Sequence, residues 1–172
     1  MADLINRADK VAFWGIPASD SSGTPTYTRM HYFTEMSGSK NPKEYARQYI
    51  DETSERTDVT GYSPAWSFSF DEYSNDPMLK DIVGILDKEL LGTNAQRDII
   101  FVNFSKTASE GGYEAVKQRF AVIGDSEGGS TDAYTYSGNL KAVGAKTWGT
   151  ATIASPASGT SETAETITFT EA

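Results

Sequence analysis

The side chains that could support catalysis or metal binding are few in this 172-residue chain. It has one histidine, His31, and no cysteine. A protein zinc site needs several nitrogen or sulfur ligands, and a Ser-His-Asp triad would have to use His31, which no nucleophile-elbow motif accompanies. The sequence therefore predicts no disulfide, no nitrogen- or sulfur-ligated metal site, and a structural or surface role for His31.

Carboxylates offer the remaining chemistry. Any two of the 24 acidic residues could meet as a glycosidase-type pair, but no pair stands out, so a hydrolase stays an open, weaker alternative. The segment 125–132, DSEGGSTD, has oxygen ligands for calcium but lacks the spacing and the closing Glu of an EF-hand, which favours an acidic hairpin turn. The glycine pairs 111–112 and 128–129 lack the strand, helix and following Lys of a phosphate loop. We expect a protein that is not an enzyme and has no cofactor.

Composition indicates one domain that is rich in β-structure. The length suits a single core, and aromatic residues make up 12% of the chain, alongside abundant Ser and Thr. No apolar run is long enough to span a bilayer, so we expect no membrane partner. The net charge of −9 argues against tight binding to a phosphate backbone, but not against a surface past which DNA slides.

The hydrophobic pattern predicts strands on both sides of one helix. Alternating or continuous apolar stretches predict strands at 10–16, 27–33, 43–50, 65–73, 97–104, 113–124, 133–143 and 147–153, and 97–104 should be buried on both faces. The segment 156–172 is expected to be a mobile tail in which 166–170 could form a last edge strand. The predicted fold is mainly β: an antiparallel β-sandwich or partial barrel, residues 1–155, with one flanking α-helix.

The helix has clear start and stop signals. Asp76 can cap it, Pro77 suits its first position and Gly92 suits its C′ end. The predicted core stripe consists of Leu79, Ile82, Val83 and Leu86. The residues expected on the solvent side are Lys80, Asp81, Asp87 and Lys88.

A long, charged loop at 50–62 separates the predicted strands 43–50 and 65–73. Loops of this length in compact domains are usually functional or mobile, and this one is suited to reach a neighbouring molecule. The residues expected to make such contacts are Ile50, Asp51, Glu52, Glu55, Arg56, Asp58 and Tyr62.

The order and spacing of several stretches between about residues 10 and 153 resemble the major tail tube protein of long-tailed bacteriophages. The most specific stretches are SKNPKEYARQYIDE, DVTGYSP followed by alternating aromatic residues, and DSEGGSTDAYTYSGN. None of them is a catalytic signature. The resemblance does not extend beyond Ser155.

The resemblance implies a structural virion protein that forms hexameric rings stacked into a tube, the conduit for DNA ejection. It implies that the loop 50–62 reaches the neighbouring ring, and that the partners are other copies of the chain, the tape measure, tail terminator and distal tail proteins, and DNA that passes without specific binding. The implied location is the virion tail, after assembly in the host cytoplasm. The alternative from another class is a secreted β-sandwich module for carbohydrate binding or adhesion.

In a tube, the acidic residues acquire a possible role in the lumen. Asp71 shares one side of its strand with Ser67 and Ser69, whereas Trp66 and Phe68 occupy the other side. We therefore expect Asp71 at the inner wall, with the turn acids Asp125 and Glu127 as further candidates. An inward excess of carboxylates would repel DNA and keep it moving. The alternative is that the acids lie on the outer surface and serve solubility.

Overall fold

Eleven β-strands and one α-helix make up the part of the chain that the computed structural model describes, residues 3–19 and 23–172. The strands are β1 (Lys10–Ile16), β2 (Thr26–Arg29), β3 (Phe33–Ser39), β4 (Pro42–Arg47), β5 (Arg56–Tyr62), β6 (Ala65–Asp71), β7 (Gln96–Thr107), β8 (Tyr113–Gly128), β9 (Thr135–Ala142), β10 (Thr147–Ser155) and β11 (Thr166–Glu171). The helix is α1 (Pro77–Asp87), and short 3₁₀ turns lie at Arg7–Asp9 and Gly92–Ala95. The predicted class, mainly β with one helix, is confirmed.

Six strands close into an antiparallel barrel in the order β1-β2-β11-β10-β8-β7. The long strand β8 makes a second sheet possible, because its first part, 113–117, pairs with β10 and its later part, 120–128, pairs with β9. The second sheet has the order β8-β9-β6-β3. Closure removes the sheet edges on the barrel side, so that in the described part of the chain edges remain only on the second sheet and the separate β4-β5 pair.

Strand β7 is buried on both faces, as its continuous apolar run predicts. Ile100 and Val102 point into the barrel, where they pack with Phe13 of β1. Ile99 points outward and belongs to the cluster that the helix covers, together with Trp14. Neighbouring residues on each strand thus serve two different cores, which explains why no alternation is visible in this stretch.

The C-terminal segment completes the barrel. Strand β11 lies between β10 and β2, so it is not an edge strand. Ala164 and Ile167 are buried in the barrel interior, and Arg29 donates through Nη1 to the carbonyl of Ser161 at 2.9 Å. The short run TITFT carries enough apolar surface to fill this position, although its neighbours are small and polar.

Helix α1 begins as its sequence signals predict and ends earlier. The Asp76 side chain accepts hydrogen bonds from the backbone N–H groups of Met78 and Leu79, at 2.9 and 3.1 Å, and Pro77 is the first helical residue. The helix ends at Asp87, and Glu89, with φ 48°, is the first residue after it in the left-handed conformation; Gly92 also has a positive φ, 61°, but it begins the next 3₁₀ turn.

The helix packs on the cluster that contains Trp14 and Ile99, which we call the helix-covered core. The apolar stripe that makes this contact is broader than the predicted one. Of the predicted residues, Leu79 and Ile82 are fully buried and Val83 and Leu86 are half-buried. The stripe also includes Met78 and Ile85, which are both buried. Ile85 follows Ile82 by three residues, so it is available to the same face.

One acid expected on the solvent side of the helix, Asp81, is half-buried and contacts the sheet instead, whereas Lys80, Asp87 and Lys88 are exposed as predicted. Asp81 accepts a hydrogen bond from Trp14 Nε1 at 2.7 Å. It also forms a bidentate ion pair with Arg97, whose Nε and Nη2 donate to its two carboxylate oxygens at 2.8 and 3.0 Å. Asp87 accepts from the hydroxyl of Tyr136 at 3.0 Å, and burial raises the pKa of Tyr136, so this donor stays protonated. The prediction was wrong for Asp81 because an acid near a buried indole N–H has a partner that a helical pattern does not show.

We expect Ile82→Asp to destabilise the subunit by at least about 4 kcal/mol, because the substitution removes buried apolar surface and buries a charge without a partner. A thermal or denaturant unfolding curve measures the change. The control is Lys80→Asp on the exposed side of the same helix, which should change stability by less than about 1 kcal/mol. Equal effects of the two substitutions would contradict this placement of the helix.

The predicted strand 27–33 is two strands. β2 ends at Arg29, and Tyr32 has a positive φ of 63° before β3 begins. β2 pairs with β1 and β11 in the barrel, whereas β3 pairs with β6 in the second sheet. His31 therefore lies in a connection rather than in a strand, where its Nε2 is 3.0 Å from Glu165 Oε2.

Candidate assembly surfaces

The predicted loop 50–62 is one half of a β-hairpin, which we call the arm hairpin (residues 42–62). Among the described residues, β4 and β5 pair only with each other, in a two-stranded sheet separate from the main one. The predicted strand 43–50 is present as β4, which ends at Arg47, but its partner is β5, which lies within the predicted loop, and β3 takes the position beside β6. The alternation of Tyr45, Arg47 and Tyr49 reflects the two faces of the hairpin, not burial in the domain.

The arm hairpin is held together by local contacts near its tip. Arg47 and Arg56 approach the ring of Tyr49, with guanidinium carbons 5.9 and 6.0 Å from its centroid, and Arg56 forms an ion pair with Glu52. Ile50 is fully exposed at the tip. The remaining predicted contact residues are exposed: Asp51, Glu55, Asp58 and Tyr62.

The arm hairpin buries almost nothing against its own domain. Every residue of β4 is exposed, and so is every residue of β5 except the half-buried Gly61. A two-stranded hairpin alone is marginally stable in water. Tyr45, Val59 and Tyr62 add exposed apolar surface, at 48%, 55% and 60%. This combination favours a partner that covers the hairpin.

The second sheet has one apolar and one polar face. Trp66, Phe68 and Phe70 of β6 all pack into the helix-covered core. The opposite face, which we call the serine face, has cross-strand rows in which Ser67 lies between Ser37 and Asn139, and Ser69 lies between Glu35 and Ser137. No helix or loop of the described chain forms a cluster on this face. The serine face is therefore a broad, polar surface.

The serine face is weakly acidic. Asp71, half-buried, lies in the row of Thr135 and Gly128 at one end of the sheet. Glu35 lies one row further along, and Lys141 lies near the other end, in the row of Ala65. Two acids and one lysine leave this face with a small negative excess, far less than the −9 of the whole chain.

The other two candidate lumen acids, Glu127 and Asp125, do not follow the regular alternation that places Asp71 on the serine face. Glu127 pairs with Tyr136, whose side chain packs in the helix-covered core, so Glu127 lies on the face opposite to Asp71. Asp125 is the extra residue of a β-bulge between Gly124 and Ser126, and it is exposed. A bulge shifts the side-chain alternation, which sequence alternation alone does not show. Both residues lie in strand β8 rather than in a turn.

The second sheet has two free edges. Within residues 3–19 and 23–172, β3 pairs only with β6, and the part of β8 at 122–128 pairs only with β9. Free edges present unpaired N–H and C=O groups that can pair with another chain. Neither edge is shielded by a proline or a lysine, because residues 33–39 and 122–128 contain neither.

The described residues, 3–19 and 23–172, contain no cluster of three or more His, Asp or Glu side chains that could hold a metal ion. No helix in the same residues is both long and apolar enough to cross a membrane.

The fold is shared with solved structures of tail tubes. The chain is similar to the SPP1 tail tube protein, with 11% sequence identity and a TM-score of 0.63 over 84% of this chain and 78% of that chain. It is also similar to a tail protein of a gene transfer agent particle refined with C6 symmetry, with 12% identity and a TM-score of 0.57 over 84% and 98% of the two chains. The expected tail-tube fold is confirmed. No protein-family model matches the chain, and no curated protein sequence matches it.

Proposed function

We propose that this protein is a structural subunit of a phage-type tail tube, in which rings of the chain stack around a channel that conducts DNA. The observation that carries the proposal is the second sheet: it has two free edges and an open polar face within a fold shared with tail tube proteins. An exposed edge on a monomer invites aggregation, whereas an edge that pairs in a closed ring is satisfied.

The strand count suits closure of a ring. The second sheet has four antiparallel strands, so β3 and β8 run in opposite directions at its two edges. The β3 edge of one copy can pair with the 122–128 edge of the next, which keeps the alternation antiparallel around the ring. In a six-fold ring, the symmetry of the gene transfer agent tail, strands about 4.8 Å apart would give a circumference of about 115 Å and a diameter of about 37 Å.

The serine face would then line the channel. Short hydroxyl side chains leave the channel wide, and its small negative excess repels the phosphate backbone, which carries a charge about every 1.7 Å. DNA would pass without a site that holds it. Asp71 and Glu35 are the described acids that would lie at this wall, because they share the face with Ser67 and Ser69.

The arm hairpin would join neighbouring copies. Its exposed aromatic and apolar side chains gain burial only from another molecule.

The ends of the tube would contact other tail proteins. The partners at the tube's interior and ends would be the tape measure, tail terminator and distal tail proteins. The protein would act in the virion tail after assembly in the bacterial cytoplasm, as a structural protein without a catalytic role.

One observation favours the alternative of a carbohydrate-binding module. Tyr32 and Tyr73 are half-exposed and stack on each other at a centroid distance of 4.2 Å, in connections at one end of the sheet. This pair could form an aromatic platform for a sugar. A carbohydrate-binding module would not account for the exposed arm hairpin or for the two free edges, so we favour the tube.

Negative-stain electron microscopy of the purified protein at high concentration tests the proposal. We expect rings or tubes of uniform diameter. A monodisperse monomer at every concentration would contradict the proposal, and glycan-array binding by that monomer would favour the alternative.

Hydrogen exchange tests the role of the arm hairpin. Few of its backbone hydrogen bonds are shielded by buried side chains, so its amides should exchange quickly in a dissociated subunit. In assembled tubes we expect exchange of residues 43–61 to slow at least tenfold, with the amides of buried β7 as the internal reference. Equal exchange of the hairpin in the two states would show that it has no partner in the assembly.

A further inference from the structure

An open groove lies beside the root of the arm hairpin. Its volume is about 710 Å³. The floor is apolar. Val116 has Trp148 as its cross-strand partner on one side and Phe101 on the other, which aligns three apolar side chains on the outside of the barrel. Trp66 extends the row by stacking on Phe101 at a centroid distance of 5.0 Å. Trp148 is 56% exposed at the open end of the floor.

The rim of the groove is basic. Four exposed cations line it: Arg7, Lys10, Lys40 and Lys146. The acid on the rim, Glu114, lies 3.7 Å from the ammonium of Lys106 and is thus already partnered. The groove therefore combines a partly exposed aromatic floor with a positive border, on a chain whose net charge is −9.

The tip of the arm hairpin has the complementary character. Ile50 is fully exposed there, next to Asp51, and Glu55 is also exposed. Residues 48–58 contain four acids and one cation, Arg56, which is itself paired with Glu52. An apolar residue set among carboxylates fits a floor of aromatic rings bordered by ammonium and guanidinium groups.

We propose that this groove receives the tip of the arm hairpin from a second copy of the chain. The inference rests on the proposed function and specifies the contact through which the hairpin joins copies. A copy cannot fill its own groove in this conformation, because Lys40 and Pro64 of the groove flank the root of the hairpin. The tip lies about 26 Å from that root, the length of eight extended residues.

Cross-linking between isosteric Ser→Cys variants tests the contact, since the native chain has no cysteine to interfere. Ser54→Cys marks the exposed tip and Ser39→Cys marks the groove. Subunits with one variant are mixed with subunits with the other, assembled, checked for tubes by electron microscopy, and treated with a short bismaleimide. We expect a covalent dimer from the mixture and none from either variant alone.

A third variant, Ser130→Cys, marks the distant β8-β9 connection as an alternative partner. Tubes in which Ser54→Cys or Ser39→Cys links to Ser130→Cys, with no Ser54–Ser39 product, would overturn the inference and leave the proposed tube intact. Absence of tubes from the unmodified protein would overturn both the proposed function and the inference.

A charge exchange tests the same contact without cross-linking. We expect Lys40→Glu with Lys146→Glu to raise the concentration needed for assembly at least tenfold, because the acidic tip would meet an acidic rim. Asp51→Lys with Glu55→Lys in the same chain should restore most of the loss. Circular dichroism verifies that the variant with all four substitutions is folded. If this folded variant assembles no better than the variant with Lys40→Glu and Lys146→Glu alone, the inference is overturned.

Discussion

Replacing residues 43–61 by Asn-Gly is expected to abolish polymerisation and leave a folded subunit. Pro42 and Tyr62 face each other across the root of the hairpin, so a two-residue turn can join them. The removed segment contributes no buried residue to either core. Sedimentation velocity and electron microscopy measure assembly.

The control for this deletion is the stability of the subunit. The melting temperature of the shortened chain should lie within a few degrees of the value for dissociated native subunits, because the barrel and the helix-covered core are complete. Normal tubes formed by the shortened chain would show that the hairpin is dispensable and would contradict its role in joining copies.

Asp71→Lys is expected to slow or stall DNA ejection while tubes still assemble. The serine face has a small negative excess, so this substitution reverses its sign in every copy around the channel. A positive wall attracts phosphates along the whole length of the tube, and many weak contacts add up to a strong drag. Ejection from particles with the variant subunit, measured by dye release or DNA-uptake kinetics, should slow at least tenfold at low salt and recover partly at high salt.

Glu127→Lys is the matched control, since it changes the net charge of the subunit equally but lies on the opposite face of the same sheet. It should leave the ejection rate within about twofold of the native rate. Equal slowing by the two substitutions would indicate that total charge, rather than the charge of the serine face, governs passage.

Local sequence signals predicted the elements whose structure depends on near neighbours. Asp76 and Pro77 define the start of the helix because their effect is confined to its first turn. The burial of β7 on both faces follows from its own composition, in which Ile99 and Ile100 are adjacent apolar residues. These features need no knowledge of the remainder of the chain.

Features that depend on distant pairing were not predictable in this way. The pattern of residues 27–33 predicts one strand, yet Arg29 ends β2 in the barrel and Phe33 begins β3 in the second sheet. The segment 43–50 alternates like a core strand, but it pairs within the arm hairpin and buries nothing. Alternation shows that a strand has two different faces; it does not show whether a face is covered by the same chain or by another copy.

The assembly surfaces were partly predictable. The separation of Asp71 from the aromatic residues of β6 follows from strand alternation, and the structure places that acid on an open face. The opposite position of Glu127 depends on the bulge in β8, which has no signature in the sequence. The free edges appear only when the order of strands in the sheet is known.

A cryo-EM reconstruction of the assembled protein tests the central claim most directly, because it shows which strands meet between copies. We expect β3 of each copy to pair with 122–128 of the next in a continuous antiparallel sheet, with the serine face and Asp71 turned toward the channel. A reconstruction in which these two edges face solvent, or in which the serine face lies on the outside of the assembly, would contradict the account.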